Sequence, residues 1–269
     1  MKKLVITACV LGAILIACQK NAITGRRSMD LMPESEMISM SLTEYDKFLA
    51  EHKPLPATDP TVIMVRTVGT KIQHAVEKYY ADKGLSSSLD GFKWDFNVVN
   101  EDVVNAWCMP GGKVVVYSGL LPVTKDEASL AVVMGHEIAH AIARHGNERM
   151  SQGMIVQFGG TVLSTALQTK PAVTQALFGQ AYGLTTNLGM LKYSRTHETE
   201  ADKMGLVFAA MGGYNPEAAI AFWERMAVAG GGAKPPEILS THPSDATRIA
   251  DLKAFMPEAM KYYTAPASK

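Results

Sequence analysis

The sequence predicts a predominantly helical α+β domain with a small antiparallel β-sheet beside one central helix. Its 269 residues, of which 47% are hydrophobic and 19% charged, suit one sizeable globular domain, or one domain with a small appendage. Most segments place apolar residues at helical spacing, whereas two short runs are rich in β-forming residues. The most regular helical run contains the pattern His-Glu-x-x-His at residues 136–140, and we expect the other elements to be arranged around it.

The first 18 residues have the features of a bacterial lipoprotein signal. Two lysines precede the apolar run Leu4–Ala17, which is too short for an ordinary membrane span. The run ends in Leu-Ile-Ala-Cys, which resembles the lipobox of bacterial lipoproteins. That resemblance implies removal of residues 1–17, acylation of Cys18 and, since Gln19 follows, an outer-membrane location facing the periplasm. The alternative is a plain secretory signal that is cleaved after Ala17.

Charge and cysteine content exclude two further classes. With 26 basic and 26 acidic residues and no basic patch, the chain gives no indication of a nucleic-acid partner. Cys9 would leave with the signal and Cys18 would be acylated, so only Cys108 remains in the mature chain. An intramolecular disulfide framework is therefore not expected.

Residues 18–58 are predicted to form a tether and one helix ahead of the main domain, which spans residues 59–269. The polar stretch Asn21–Asp30 has the composition of a short tether, and Pro33 can open a helix that continues to Ala50. A proline-rich linker ends at Asp59-Pro60, an N-cap followed by a first-turn proline, and predicts a second helix to about Ala81.

Two β-strands are predicted next. Phe92–Val99 alternates apolar and polar residues, and Lys113–Tyr117 is a second β-rich run. Between them, Asn105-Ala106 and Pro110-Gly111-Gly112 frame a turn.

The helical run Asp126–Met150 contains the candidate metal ligands. Thr124–Glu127 has the pattern of a capping box, and His136 and His140 lie four residues apart, on nearly the same helical face. Glu137 is turned by about 100° from His136, so it can accept a proton from water beside an ion that the two imidazoles hold. The alternative is an accidental pair of core histidines, but burying such side chains unpaired is unfavourable.

A catalytic zinc site usually has a third protein ligand, and a later helix supplies two candidates. Ser194–Asp202 contains Glu198 and Glu200, and spacing alone does not choose between them. The helix is predicted to run from Ser194 to Met211. We expect it to fold back onto the His-Glu-x-x-His helix.

His-Glu-x-x-His followed by Ser-Arg-x-x-Glu-x-x-Ala-Asp resembles the HtpX/BepA/Oma-type family of gluzincin zinc metallopeptidases, which includes the CaaX prenyl endopeptidases. The resemblance covers roughly residues 95–251 and implies a gluzincin-like fold with one Zn²⁺ per chain and protein or peptide substrates. By that match Glu198 is the third ligand, Asp202 orients His136 or His140, and Glu200 points into a solvated ion pair. In such peptidases an edge strand pairs with extended substrate, and Val114–Tyr117 is our candidate edge. An ordinary core strand is an equally weighted alternative.

A downstream segment adds two further candidates. Thr241-His242-Pro243, with Arg248 after it, resembles a family segment that carries a histidine able to approach the zinc. His242 would stabilise the oxyanion of the tetrahedral intermediate, or would occupy the open position of the ion at rest, and Arg248 would support the ligands. The alternative is a loop histidine that caps the last helix. His145 is predicted to be structural.

The remaining segments are expected to be helical. Residues 152–192 hold almost no charge and are divided by Pro171, which predicts a helical hairpin that is buried or covers the active site; neither half is a convincing membrane span. Asn215-Pro216 begins another helix to about Val228, Gly230–Pro236 is predicted to be a loop, and a final helix follows Pro243.

Together these features predict a lipid-anchored zinc endopeptidase of the bacterial envelope. It would hydrolyse peptide bonds in misfolded or unassembled proteins, as a component of protein quality control. One alternative is a latched, metal-binding, chaperone-like lipoprotein that assists outer-membrane protein assembly, with the assembly machinery as its partner. A second alternative is a structural lipoprotein whose motif is accidental.

Overall fold

The computed structural model describes residues 18–158, 171–182, 193–230, 236–242 and 246–265. These residues form the expected α+β, mainly helical fold around a small sheet. The helices are α1 (Glu34–Glu51), α2 (Pro60–Asp82), α3 (Leu121–Thr124), α4 (Glu127–Ile142), α5 (His145–Phe158), α6 (Pro171–Ala181), α7 (Arg195–Met211), α8 (Ala218–Gly230), α9 (Ile238–Thr241) and α10 (Ala246–Ala259). The strands are β1 (Cys18–Lys20), β2 (Arg27–Met29), β3 (Asp95–Val99), β4 (Ala106–Met109) and β5 (Lys113–Tyr117).

The central sheet is mixed, not wholly antiparallel. Its order is β3-β5-β4, with β3 parallel and β4 antiparallel to β5. The predicted edge, Val114–Tyr117, is therefore the centre of the sheet, and the edge position next to α4 belongs to β4. Val114 and Val116 pack into the main core, while Val115 and Tyr117 pack into a second core on the opposite face. This uninterrupted apolar run is typical of a strand that is covered on both sides.

The segment that precedes β5 is a β-hairpin and not a single turn. Asn105-Ala106 leads directly into β4, and only Pro110-Gly111-Gly112 forms the reversal. Gly112 has a φ of 79°, and a Cβ atom there would lie 2.7 Å from Cε3 of Trp94. Both the backbone conformation and the packing at position 112 therefore require glycine, which permits the tight turn between β4 and β5.

Helices α4 and α7 pack closely against each other in the centre of the molecule. A Cβ atom on Gly205 would lie 2.8 Å from the backbone nitrogen of His136, and one on Gly135 would lie 2.8 Å from the carbonyl oxygen of Gly205. The two glycines thus allow backbone contact at the level of the first histidine. This crossing brings the two motif-bearing helices together.

The helical run that was predicted to reach Met150 is broken after Ile142. Arg144 has a φ of 57°, and a new helix, α5, begins at His145. The start differs as well, because the N-cap is Asp126, whose carboxylate accepts a hydrogen bond from the Ser129 backbone at 2.7 Å. The expected capping box at Thr124 is therefore wrong. The break redirects His145 back towards the site.

The stretch that was interpreted as a tether is an ordered hairpin. β1 pairs with β2 in antiparallel register, Cys18 opposite Met29, and the hairpin packs against α5. Its Thr24 and Arg26 bond to the buried carboxylate of Glu200, and Arg26 also bonds to half-buried Glu148, which explains how a polar segment can be ordered. Helix α1 packs on β4 and β5, and Asp59 caps α2 as predicted.

The remaining helices largely match the predictions. α7 begins at its N-cap Ser194, and α8 and α10 lie where the sequence placed them. α5 and α6 pack together, as expected of the two halves of a hairpin, whereas its residues 159–170 and 183–192 lie outside the described residues. Most of the predicted loop at 230–236 also lies outside them. In the part of the chain that the structure describes, no helix combines the length and apolarity needed to cross a membrane.

Candidate metal centre

Three parts of the fold deliver four potential ligands to one buried point. α4 supplies His136 and His140, the first turn of α7 supplies Glu198, and the residue after α9 supplies His242. All four are buried, and each offers an atom within 4.8 Å of the others. The structure thus brings together both motif histidines, one of the two candidate glutamates and the downstream histidine.

The spacing of these atoms matches a tetrahedral shell. Nε2 of His136 lies 3.0 Å from Nε2 of His140 and 3.2 Å from Nδ1 of His242. Oε1 of Glu198 lies 2.9 Å from Nδ1 of His242 and 3.4 Å from Nε2 of His140. Ligands held about 2.0–2.1 Å from a tetrahedral zinc ion are about 3.3 Å apart. The observed separations lie around that value.

The chemistry of the donor set also suits a cation. Three imidazoles and a carboxylate point lone pairs inward, and imidazole nitrogen and carboxylate oxygen are the ligands that Zn²⁺ prefers. Oε1 of Glu137 is buried without a hydrogen-bond partner among the described residues, and buried Oε2 of Glu198 has no hydrogen bond there beyond its ion-pair contact with Arg248 at 3.1 Å. Such atoms are unfavourable unless an ion or water satisfies them. The residues therefore fit a divalent ion.

Asp202 and Arg248 support the ligands from one side. Oδ1 of Asp202 lies 2.9 Å from Nδ1 of His136, and so it contacts His136 and not His140. Arg248 donates to both oxygens of Asp202 at 2.8 and 2.7 Å and lies 3.1 Å from Oε2 of Glu198. Burial alone would raise the pKa of Asp202, but Arg248 and His136 hold it below its ordinary value. Asp202 is thus a carboxylate that can fix the His136 ring.

Glu137 lies beside the four potential ligands His136, His140, Glu198 and His242, called the cluster below, but is not one of them. Its Oε1 atom is 3.7 Å from Nε2 of His242, and Glu137 and His242 line one cleft. Burial raises the pKa of Glu137, although His242 and His136 partly oppose that effect. A carboxylate whose pKa is raised towards neutrality is suited both to accept a proton and to return it.

His242 lies inside the ligand group. Its Nδ1 atom, as described above, is within 3.2 Å of both His136 and Glu198 atoms. The sequence suggested two roles for His242: a fourth ligand of the ion at rest, or a hydrogen-bond donor to the oxyanion. Its position matches the first role more closely, because the Nδ1 atom lies among the other ligand atoms. Its backbone also caps α9, because the His242 nitrogen donates to the Ile238 carbonyl at 2.8 Å.

A cleft of about 310 Å³ opens onto the cluster. Its lining includes β4 and the residue before it, Phe48 of α1, Tyr117 of β5, Glu137 and His242. Within the described part of the chain, β4 is an edge strand of its sheet, because it pairs with β5 alone.

Two aromatic residues of the site were not identified from the sequence. The Tyr193 ring lies 3.9 Å from the His140 ring and is stacked on His242 at 5.0 Å, measured between centroids. Trp223 of α8 packs under the Arg248 guanidinium at 3.4 Å and against His136. Tyr193 directly precedes the Ser-Arg-x-x-Glu motif, a position that could have drawn attention to it. Trp223 comes from a helix without any motif.

Glu200 is not in a solvated ion pair, as the sequence had suggested. It is 3% exposed and accepts hydrogen bonds from His145, Thr24 and Arg26. The expectation failed because the hairpin that covers this face of α7 was taken for a tether. His145 is structural in the sense predicted, since it contacts Glu200 and His140 and offers no atom to the cluster.

Comparisons with known proteins agree with the geometry. A model of peptidase family M48 matches residues 68–256. The chain is 36% identical to the mitochondrial metalloendopeptidase OMA1 of Saccharomyces cerevisiae over 219 residues, which are 78% of this chain and 60% of that protein. It is 32% identical to human metalloendopeptidase OMA1 over 247 residues, 89% of this chain and 46% of that protein.

A bacterial relative is also similar. The chain is 34% identical to the beta-barrel assembly-enhancing protease of Escherichia coli over 165 residues, which are 59% of this chain and 33% of that protein. The chain thus spans about three fifths or less of the length of these relatives. All three are peptidases by name.

Proposed function

The chain belongs to peptidase family M48, and from that premise we propose that it is a zinc-dependent endopeptidase acting on unfolded or unassembled proteins of the bacterial cell envelope. Membership of the family and the His136–His140–Glu198–His242 cluster support the metalloendopeptidase activity. The single observation that carries the proposal is Glu137, a buried carboxylate that lies next to that cluster and lines an open cleft.

His136, His140 and Glu198 would hold the ion, which when bound supplies Lewis acidity to water and to a peptide carbonyl. Glu137 takes the proton from the attacking water and returns it to the leaving amine. Asp202 keeps the His136 ring in place, and Arg248 balances the carboxylates of Glu198 and Asp202.

His242 would close the site at rest. With its Nδ1 atom among the ligands and its Nε2 atom facing Glu137, it occupies the space that a water and a carbonyl oxygen need. Substrate entry then requires His242 to move, after which the same imidazole can donate to the developing oxyanion. Both roles suggested by the sequence therefore belong to one side chain at different stages.

The substrate would bind as an added strand on β4. β4 is an edge strand in the described part of the sheet, and it lines the same cleft as Glu137 and His242. Strand addition relies on main-chain hydrogen bonds and so tolerates many sequences, but it requires an extended chain. This favours unfolded segments over folded proteins as substrates. A chaperone-like role without hydrolysis is not favoured, since the relatives are peptidases.

A chelator test addresses the proposed function directly. We expect the purified protein to contain about one zinc per chain by elemental analysis and to cleave an unfolded casein at internal bonds. Cleavage should stop when 1,10-phenanthroline removes the ion and should return when Zn²⁺ is added, because the proposed hydrolysis depends on the ion that the three protein ligands hold. Zinc-independent cleavage, or stoichiometric zinc without any cleavage, would contradict the proposal.

The envelope location would be reached through acylation of Cys18. The lipobox-like residues before Cys18 support this, as does similarity to a bacterial protease whose name refers to β-barrel assembly, whereas the eukaryotic relatives are mitochondrial. An outer-membrane site facing the periplasm, with the assembly machinery as partner, is the finer form of this proposal. In a Gram-negative host, an alkyne-tagged palmitate should label the chain, and Cys18→Ser should abolish labelling and release the protein from membranes. Equal labelling of both would disprove acylation at Cys18.

A further inference from the structure

The β1–β2 hairpin is connected to the metal centre by a continuous series of hydrogen bonds. The first link joins two histidines. His140 directs Nε2 at the cluster, while its Nδ1 atom lies 2.8 Å from Nδ1 of His145. A neutral imidazole carries one proton, so when Nε2 gives its lone pair to an ion the proton is on Nδ1. His140 therefore donates this hydrogen bond and His145 accepts it.

The second link ends at a carboxylate. Because His145 accepts on Nδ1, its own proton is on Nε2, which lies 2.9 Å from Oε2 of Glu200. Glu200 thus selects the tautomer of His145, and His145 in turn fixes the ring of His140. Asp202 performs the same task for His136 directly. The two histidine ligands of α4 are therefore oriented by two different carboxylates of α7.

The third link leaves the main domain. Glu200 accepts hydrogen bonds from the Thr24 hydroxyl and from Nε of Arg26, both in the turn of the hairpin or next to it. The two terminal nitrogens of Arg26 hold Glu148 of α5 at 3.2 and 2.8 Å. The Arg26 guanidinium thereby connects Glu148 of α5 with Glu200 of α7, near the start of α5, where His145 lies.

Thr24 and Arg26 lie outside residues 68–256, which match the peptidase family. We propose that the hairpin Cys18–Met29 is a positioning element of the metal centre: Thr24 and Arg26 hold Glu200, and Glu200 and His145 hold His140 in its ligating orientation. This inference rests on the proposed metal function of the cluster. Loss of such outer partners usually weakens metal binding about 10- to 100-fold.

The test compares two adjacent arginines in the full chain. Arg26→Gln removes the charge and the double contact, whereas Arg27→Gln changes the neighbouring exposed arginine. Zinc affinity is measured by competition with a chromophoric chelator, and the visible spectrum of the Co²⁺-loaded protein reports the ligand geometry. We expect Arg26→Gln to weaken zinc binding at least about fivefold and to alter the Co²⁺ spectrum, since it acts through an outer partner. Arg27→Gln should stay within about twofold of the unaltered chain.

Thermal unfolding of the apo proteins separates positioning from general stability. Thr24→Val, nearly isosteric with threonine, removes one hydrogen bond to Glu200 and should weaken zinc binding in the same direction with little change in apo Tm. If Arg26→Gln does not fold, Thr24→Val decides the question alone. Unchanged zinc affinity in both variants, whatever their Tm, would overturn the hairpin's role while leaving the proposed function intact. Absence of zinc binding by the unaltered chain would instead refute both.

Discussion

Glu137→Gln is expected to lower the rate of peptide-bond cleavage by about 10²- to 10⁴-fold while zinc content stays at one ion per chain. The amide has nearly the shape of the carboxylate but cannot take a proton from water. Glu137 offers no atom to the four-residue cluster, so its replacement leaves the donor set complete. Initial rates on unfolded casein, together with elemental analysis of the same samples, measure both quantities.

A matched control lies on the same helix. Glu127→Gln alters an exposed glutamate in the first turn of α4, whose carboxylate contacts the Tyr214 hydroxyl at 3.2 Å and is remote from the cluster. Its cleavage rate should stay close to that of the unaltered chain. If Glu137→Gln cleaved casein at an ordinary rate, another group would have to act as the base. Loss of zinc in that variant would instead make Glu137 part of the ligand structure.

Glu198→Gln is expected to weaken zinc binding by about two orders of magnitude and to abolish measurable cleavage. Structural zinc sites bind with apparent free energies of about 10–16 kcal/mol, so one ligand in four accounts for about 3 kcal/mol, or roughly a hundredfold in affinity. The substitution also removes a negative charge that Arg248 and His242 both contact in the unaltered chain. Chelator competition gives the affinity, and the casein assay gives the rate.

Glu200→Gln is the internal comparison, because spacing along the sequence left both glutamates open as third ligand and only the family resemblance favoured Glu198. Since Glu200 contacts His145 and not the cluster, its loss should weaken zinc binding only about tenfold, as expected of an outer partner. The order of the two effects is the critical result. A larger loss in Glu200→Gln than in Glu198→Gln would reverse the ligand assignment.

Periodic and capping patterns predicted most of the helices. Asp59-Pro60 marked the start of α2, and Ser194 with a following helical run marked α7. Such signals are local, because a cap bonds to backbone groups only two or three residues away. The motif residues were found for the same reason, since a four-residue spacing on one helix determines which side chains share a face.

Strand pairing and helix breaks were predicted less well. The run at 113–117 shows β-forming residues, but whether it lies at an edge or in the centre depends on which other strands pair with it. The break at Arg144, which has a φ of 57°, interrupts an otherwise helical pattern, and no glycine or proline at that position marks it in the sequence. The hairpin at 18–29 is ordered by Glu148 and Glu200, whose positions are not evident from its own composition.

By itself, the sequence indicated most of the helices and placed His136, Glu137 and His140 on one of them, while spacing left two glutamates in one later helix and a family resemblance favoured Glu198. The tertiary structure brings Glu198 and His242 to those imidazoles, and it alone revealed that Glu200 faces away towards His145 and the hairpin. The physical reason is the close crossing at Gly135 and Gly205, which sets the rotation of α7 against α4. A helix of known sequence presents every face equally, and only its packing partner selects the one that holds the ion.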